Sequence, residues 1–149
     1  DLFKDIHESK VKSDGLVFYP IDEPVKFRNQ IDLFKWKPPG FHTVDFTIRI
    51  HSEDNTLVDL ITWSKSEESI YRTINISDFK NLPIADNQVV EFKIEQQLIK
   101  NNKKICVFVP ILIRHDKPNG NNLFTVRKTI LNATENIVEQ DLINEFQKK

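Results

Sequence analysis

Between Thr43 and Ile113 the chain carries five β-rich runs separated only by short charged or turn-forming stretches, and few architectures accept that pattern. Thr43 to His51 alternates, with Val44, Phe46, Ile48 and Ile50 on one face and Thr43, Asp45, Thr47, Arg49 and His51 on the other. A strand of period two with one apolar face is a half-buried antiparallel strand. Leu57 to Trp63 and Ile70 to Ile76 are further β-rich runs, and Val90, Phe92 and Ile94 alternate with Glu91, Lys93 and Glu95. Ile105 to Val109 continues through Pro110 to Ile113 and is apolar on both faces, so it reads as the most buried strand, with a bulge or edge position at the proline. Two helical spacings close the chain: Leu123, Val126, Ile130 and Leu131, then Leu142, Ile143 and Phe146.

Five antiparallel strands in so short a stretch predict a mainly β architecture, a five-stranded barrel of the oligonucleotide/oligosaccharide-binding (OB) type with C-terminal helices. Closure would remove the edges that an open ribbon exposes. A sandwich is the competing arrangement. Upstream, residues 1–12 space Leu2, Phe3, Ile6 and Val11 as a short helix would, and Asp14-Gly15 marks a turn. Leu16 to Tyr19, ended by Pro20, reads as a buried strand; residues 20–31 read as a loop. Pro38-Pro39-Gly40 removes two backbone donors and adds a flexible residue, which suits a domain boundary. The expected division is residues 1–42 and 43–149.

The 149 residues are 39% hydrophobic and 29% charged, enough apolar content for a folded core. A net charge of −1 provides no whole-surface attraction for polyanions, so any such site must be a local cluster. Cys106 is the single cysteine, which excludes a disulfide framework and a cysteine zinc site. With no signal-peptide pattern or membrane-length apolar span, the expected setting is reducing and intracellular, with no membrane partner. His7, His42, His51 and His115 show no metal-binding spacing. Trp63 and Tyr71 are expected in the barrel core, with stacking on RNA bases as the alternative.

Two groups of charges stand out. In Leu33-Phe34-Lys35-Trp36-Lys37-Pro38-Pro39, an extended backbone sends both lysines to one face and Trp36 to the other. Two adjacent ammonium groups repel unless an anion lies between them, so the pair is either solvated or a phosphate site. Asp14 is either the first residue of an Asp-Gly turn or a carboxylate for Mg²⁺ carried by nucleotide phosphates, which takes only one or two protein carboxylates. Arg114-His115-Asp116-Lys117 ends the most apolar strand, with Arg114 and Asp116 on one face, as a surface salt bridge or an anion site.

The order of these features resembles the covalent nucleotidyltransferase superfamily of capping enzymes and polynucleotide ligases. Asp14-Gly15-Leu16-Val17-Phe18-Tyr19-Pro20, Leu33 to Pro39, Thr43-Val44-Asp45-Phe46, and Val89-Val90-Glu91-Phe92 ahead of Arg114-His115-Asp116-Lys117 are similar in particular to mRNA guanylyltransferases. The resemblance implies a lysine that attacks the α-phosphate of GTP, holds GMP as a phosphoramidate and passes it to a 5'-diphosphate RNA, with Mg²⁺ or Mn²⁺ as cofactor. It implies that Lys35 and Lys37 contact the α-phosphate and that Arg114 and Lys117 contact the β- and γ-phosphates, oriented by Asp116. Asp45 would be a further catalytic acid and Asp14 a metal ligand. It implies the end of a nucleotidyltransferase domain over 1–42 and an OB-fold domain over 43–149. The chain departs from the pattern in placing Pro118-Asn119 early, and its one Lys-x-Asp-Gly string, Lys12-Ser13-Asp14-Gly15, runs directly into the Asp14-Gly15-Leu16-Val17-Phe18 motif, so the nucleophilic lysine is expected outside these residues. The expectation is therefore a fragment opening at Asp1, whose partners include the N-terminal part of the nucleotidyltransferase domain and other capping domains or subunits. The alternatives are a ligase fragment using ATP or NAD, and a non-catalytic RNA- or protein-binding barrel. The abundance of lysine, isoleucine and asparagine suits an AT-rich genome such as that of a large DNA virus. The setting would then be a viral cytoplasmic factory or virion, or the nucleus for a cellular protein.

Overall fold

The computed structural model describes Lys4, Glu8, residues 13–22, Pro24, and residues 33–80, 82–98 and 104–147. All of the expected helix over residues 1–12 except Lys4 and Glu8, and most of the expected loop over 20–31, lie outside the described residues. The chain divides into two compact units, residues 1–39 with 137–149, and residues 40–136.

In the first unit, β1 (Leu16–Phe18) and β2 (Phe34–Trp36) form a two-stranded antiparallel ribbon with Leu16 opposite Trp36 and Phe18 opposite Phe34. The expectation of a buried strand at Leu16 fails, because Val17 is half exposed and, among the described residues, β1 pairs with β2 alone. Trp36 is buried as the alternation requires, and its indole N–H donates to the Ile137 carbonyl at 2.9 Å. Phe18 lies 5.6 Å from both Phe34 and Phe146 between ring centroids. Gly15 permits this pairing, since a Cβ there would meet the Trp36 carbonyl oxygen at 2.1 Å.

The second unit is a five-stranded antiparallel sheet in the order β5-β4-β3-β6-β7. Its strands are β3 (Thr43–Ile50), β4 (Leu57–Ser64), β5 (Glu67–Asn75), β6 (Val89–Leu98) and β7 (Lys104–Ile113). Val44, Phe46, Ile48, Val58, Leu60, Val90 and Phe92 fill the core and are almost wholly excluded from solvent. Phe46 sits within 5.3–5.7 Å of the rings of Tyr71, Phe92 and Phe108, in stacked and edge-on geometries that favour aromatic pairs. A 3-10 turn, Ile76–Phe79, capped by Asn75, adds Phe79 against Phe92. Helix α1 (Leu123–Glu135) begins at Asn122, whose side chain accepts from the Thr125 N–H at 2.8 Å. Val126, Ile130 and Ala133, spaced at i, i+4 and i+7, are its core-facing stripe. The left-handed Asn136 ends it. Helix α2 (Glu139–Phe146) belongs to the first unit.

All five sheet strands and both helices fall where the sequence pattern puts them, and the mainly β, OB-like expectation holds. Closure does not. Among the described residues β5 and β7 share no backbone ladder, so the barrel is partly open, as OB-folds tolerate. Side chains span this seam: Arg72 donates to the Cys106 carbonyl at 2.8 Å, with its guanidinium 5.0 Å from the Phe108 ring centre. The Ile105–Ile113 run is also not the most buried strand. It is an edge, with Ile111 and Leu112 half exposed, while β4 is buried on both faces. The bulge expected at Pro110 is present as a register shift opposite it, between Glu91 and Phe92.

Candidate functional site

The antiparallel register of β3 and β6 places Asp45 directly opposite Glu91. Two carboxylates in such a pair repel each other unless a cation joins them. Arg114, just past β7 and tied to β6 through its N–H bond to the Val89 carbonyl, supplies that cation. Its Nη1 lies 3.4 Å from Asp45 Oδ1 and 3.2 Å from Glu91 Oε2. Its other edge makes a two-pronged contact with Asp116, Nε to Oδ1 at 2.9 Å and Nη2 to Oδ2 at 2.8 Å. Lys117 closes on the second oxygen of Asp45. Asp116, hydrogen-bonded by Arg114, has its pKa pulled down to about 2, and the same contact raises that of Arg114. Three carboxylates facing two cations leave the cluster with one net negative charge.

Asp45 is buried even though its position in the alternation belongs to the polar face. The cause is a strap, residues 114–122, which puts Arg114 and Lys117 on the carboxylate and runs alongside β3 and β4, hydrogen-bonded to the Asp45 backbone and bridged in parallel to Trp63 at Asn122. Asn121 clamps the Asp45 backbone in both directions, its side chain accepting from the Asp45 N–H at 2.8 Å and its own N–H donating to the Asp45 carbonyl. Thr62 donates to the Asn121 carbonyl at 3.0 Å, and the Trp63 indole donates to the Gly120 carbonyl at 3.0 Å. The Gly120 N–H donates to the Thr47 hydroxyl. A Cβ at Gly120 would come within 2.5 Å of the Thr47 nitrogen and 2.8 Å of the Phe46 backbone, so glycine is needed for the strap to dock. Asn119-Gly120 signals a turn in sequence, but nothing local announces this close approach.

In the first unit, Lys37 Nζ lies 2.7 Å from Asp14 Oδ2, and that hydrogen bond lowers the Asp14 pKa, helped by the charges of Lys37 and Lys35. Lys35 is exposed on β2. Lys37 thus meets an anion that is the protein's own, while Lys35 acts on the same carboxylate only through its charge. Among the described residues no group of three or more His, Cys, Asp or Glu is placed to hold a metal ion. Asp14, ionised and largely exposed, fits the lesser role of one carboxylate toward an ion brought by nucleotide phosphates.

The structure therefore assembles the predicted residues as two constellations, Asp14 with Lys35 and Lys37 in one unit, and Asp45, Arg114, Asp116 and Lys117 in the other. Glu91, Asn121 and Gly120 complete the second and carried no assigned role in the sequence reading. Tyr71 joins the core as expected, whereas Trp63 is a partly exposed anchor of the strap. His51 is not isolated, since its Nε2 lies 2.9 Å from Asp59.

No family model matches the chain. It is 29% identical over 137 residues to the mRNA-capping enzyme of Mus musculus, an alignment covering 89% of this chain and 21% of that protein. The chain spans about a fifth of the length of the curated relative it matches. Over most of its residues this chain is thus distantly similar to an mRNA-capping enzyme.

Proposed function

We propose that the chain is the C-terminal part of an mRNA guanylyltransferase, residues 1–42 ending the nucleotidyltransferase domain and 43–149 forming its OB-fold domain. The observation that carries this reading is the convergence of Arg114 and Lys117 on Asp45, some 70 residues away in sequence, around one buried carboxylate. A plain surface salt bridge would not require a dedicated strap.

In the proposed reaction a lysine Nζ attacks the α-phosphorus of GTP. A P–N bond forms, the α–β bridging P–O bond breaks, and pyrophosphate leaves. A terminal oxygen of the 5'-diphosphate RNA then attacks the same phosphorus, and the P–N bond breaks. The one Lys-x-Asp-Gly string, Lys12 to Gly15, shares its Asp14-Gly15 with the turn that opens β1 and carries the proposed metal carboxylate, so this reading assigns the nucleophile to a segment outside these residues. Lys35 and Lys37 neutralise charge on the α-phosphate in both steps, Lys37 exchanging Asp14 for phosphate oxygen. Arg114 and Lys117 act on the β- and γ-phosphates. Asp116, more than half exposed, is the carboxylate most easily displaced from the guanidinium fork, while buried Asp45 keeps both cations aimed. Asp14 would hold Mg²⁺ or Mn²⁺, which when bound supplies further charge neutralisation at the phosphates.

The test is covalent labelling of the longer protein with α-labelled GTP. A denaturation-resistant GMP adduct is expected with GTP and a divalent ion, and none from residues 1–149 alone. Labelling by ATP in place of GTP would assign the chain to a ligase.

A further inference from the structure

Beside the strap lies a cavity of about 240 Å³ lined by Thr47, Ile61, Trp63, Ser66, Glu68 and Asn119. It is smaller than the roughly 300–1,000 Å³ of pockets that enclose a whole small molecule. It has room for one planar ring system. Three features define what would enter. Trp63 is 38% exposed, yet its indole N–H is already committed to the Gly120 carbonyl, so the ring is fixed in place and has only its π surface left to offer. Ser66 and Asn119 at the wall can donate and accept hydrogen bonds, while Glu68, bonded to Arg49 at 3.0 Å, places a carboxylate there. That carboxylate repels a phosphate and accepts from ring N–H groups. Lys65, adjacent to Ser66 in the β4–β5 turn, is an exposed cation.

From this arrangement we infer that the Trp63 cavity binds an unpaired nucleobase of single-stranded RNA, the ring stacked on Trp63 and its sugar-phosphate outside. A rigid exposed aromatic next to a basic side chain is the general means by which barrels hold single strands without strong sequence readout. The inference deepens the proposed function, on which the choice of RNA as ligand rests. Asn119 is two residues from Lys117 on one strap, so the acceptor strand would be held by the same segment that carries a phosphate-directed cation.

The experiment titrates this chain with a short single-stranded oligoribonucleotide at fixed ionic strength, reading tryptophan fluorescence and, separately, the anisotropy of end-labelled RNA. Trp63 and the buried Trp36 are the two tryptophans. Saturable quenching is expected with the single strand and not with a duplex of the same sequence. GMP alone should quench far more weakly; quenching by GMP equal to that by RNA would mean a free-nucleotide site and overturn the proposal. Trp63→Ala should weaken RNA binding by about 10-fold or more, in line with the loss of one base stack. Because this change also frees the Gly120 carbonyl, Asn119→Leu provides a second arm, filling the mouth from an exposed position and expected to weaken binding similarly. Wild-type RNA affinity in Asn119→Leu, or no saturable quenching in the unmodified chain, contradicts the inference. Neither readout depends on GMP transfer, so a failure here is distinct from a failure to form the GMP adduct.

Discussion

The two charged constellations solve the same electrostatic problem under opposite conditions. In the first unit, Asp14 and Lys37 meet with side chains 75% and 40% exposed, and either could return to water at little cost. In the second, the Asp45 side chain is 7% exposed and holds two cations that are themselves 21% and 35% exposed. An exposed pair contributes about 0–1 kcal/mol, whereas leaving a buried charge unpaired costs about 3–5 kcal/mol. Lys37 is thus a cation able to change partners, whereas Arg114 and Lys117 are held in place by a buried carboxylate.

The comparison breaks first on catalysis. In the longer protein proposed above, Arg114→Ala and Lys117→Ala should each slow GMP-adduct formation by on the order of 10² or more, because a cation that stabilises charge developing on the leaving pyrophosphate is worth that much. Since each also leaves Asp45 under-compensated, Arg114→Lys serves as the control that retains the charge and loses the fork. Next in size, Gly120→Ala should destabilise the second unit by about 3 kcal/mol or more in denaturant unfolding, because the added methyl meets backbone rather than a movable side chain. An unchanged transition midpoint would mean that the strap is not docked as described.

A smaller contrast sharpens the comparison directly. Asp45→Asn should lower stability by about 1–3 kcal/mol, because Lys117 and Arg114 lose their shared anion in a buried site. Asp14→Asn should change it by no more than about 0.5 kcal/mol. Equal effects would erase the distinction. The smallest effect is acid sensitivity. Asp116 is held near 2 by Arg114 and Asp14 is lowered by Lys37. At Asp59 burial pushes the pKa up, but hydrogen bonds from Thr73 and His51 more than offset it. Carboxylates whose pKa is depressed in the fold contribute stability above their ordinary value of 3.8 and lose it as pH falls. Urea unfolding should therefore weaken between about pH 4 and pH 2, and less so in Asp116→Asn.

The β3–β7 sheet was legible because each strand alternates or runs apolar between turn residues, and Leu123, Val126, Ile130 and Leu131 mark α1 by helical spacing, although Leu131 is exposed and Ala133 packs against the core instead. Burial was less legible than position. Ile105 to Ile113 is apolar throughout, but a strand's place in the sheet is set by its partners, and β7 is left at the edge. Asp45 shows the converse: local alternation assigns it to solvent, and a strap that starts 69 residues later covers it. The charged residues of the candidate site were visible as motifs. The residues that hold them, Asn121 and Gly120, act through backbone contacts that no local pattern encodes.

The most direct test measures the two half-reactions separately in single turnovers of the longer protein. If Arg114 acts on the β- and γ-phosphates, Arg114→Ala should abolish adduct formation from GTP while a preformed GMP adduct still transfers to 5'-diphosphate RNA at a near-normal rate. Lys37→Ala should impair both steps, because the α-phosphate takes part in each. Near-normal adduct formation in Arg114→Ala would contradict the account and reduce the strap's cation cluster to a salt bridge.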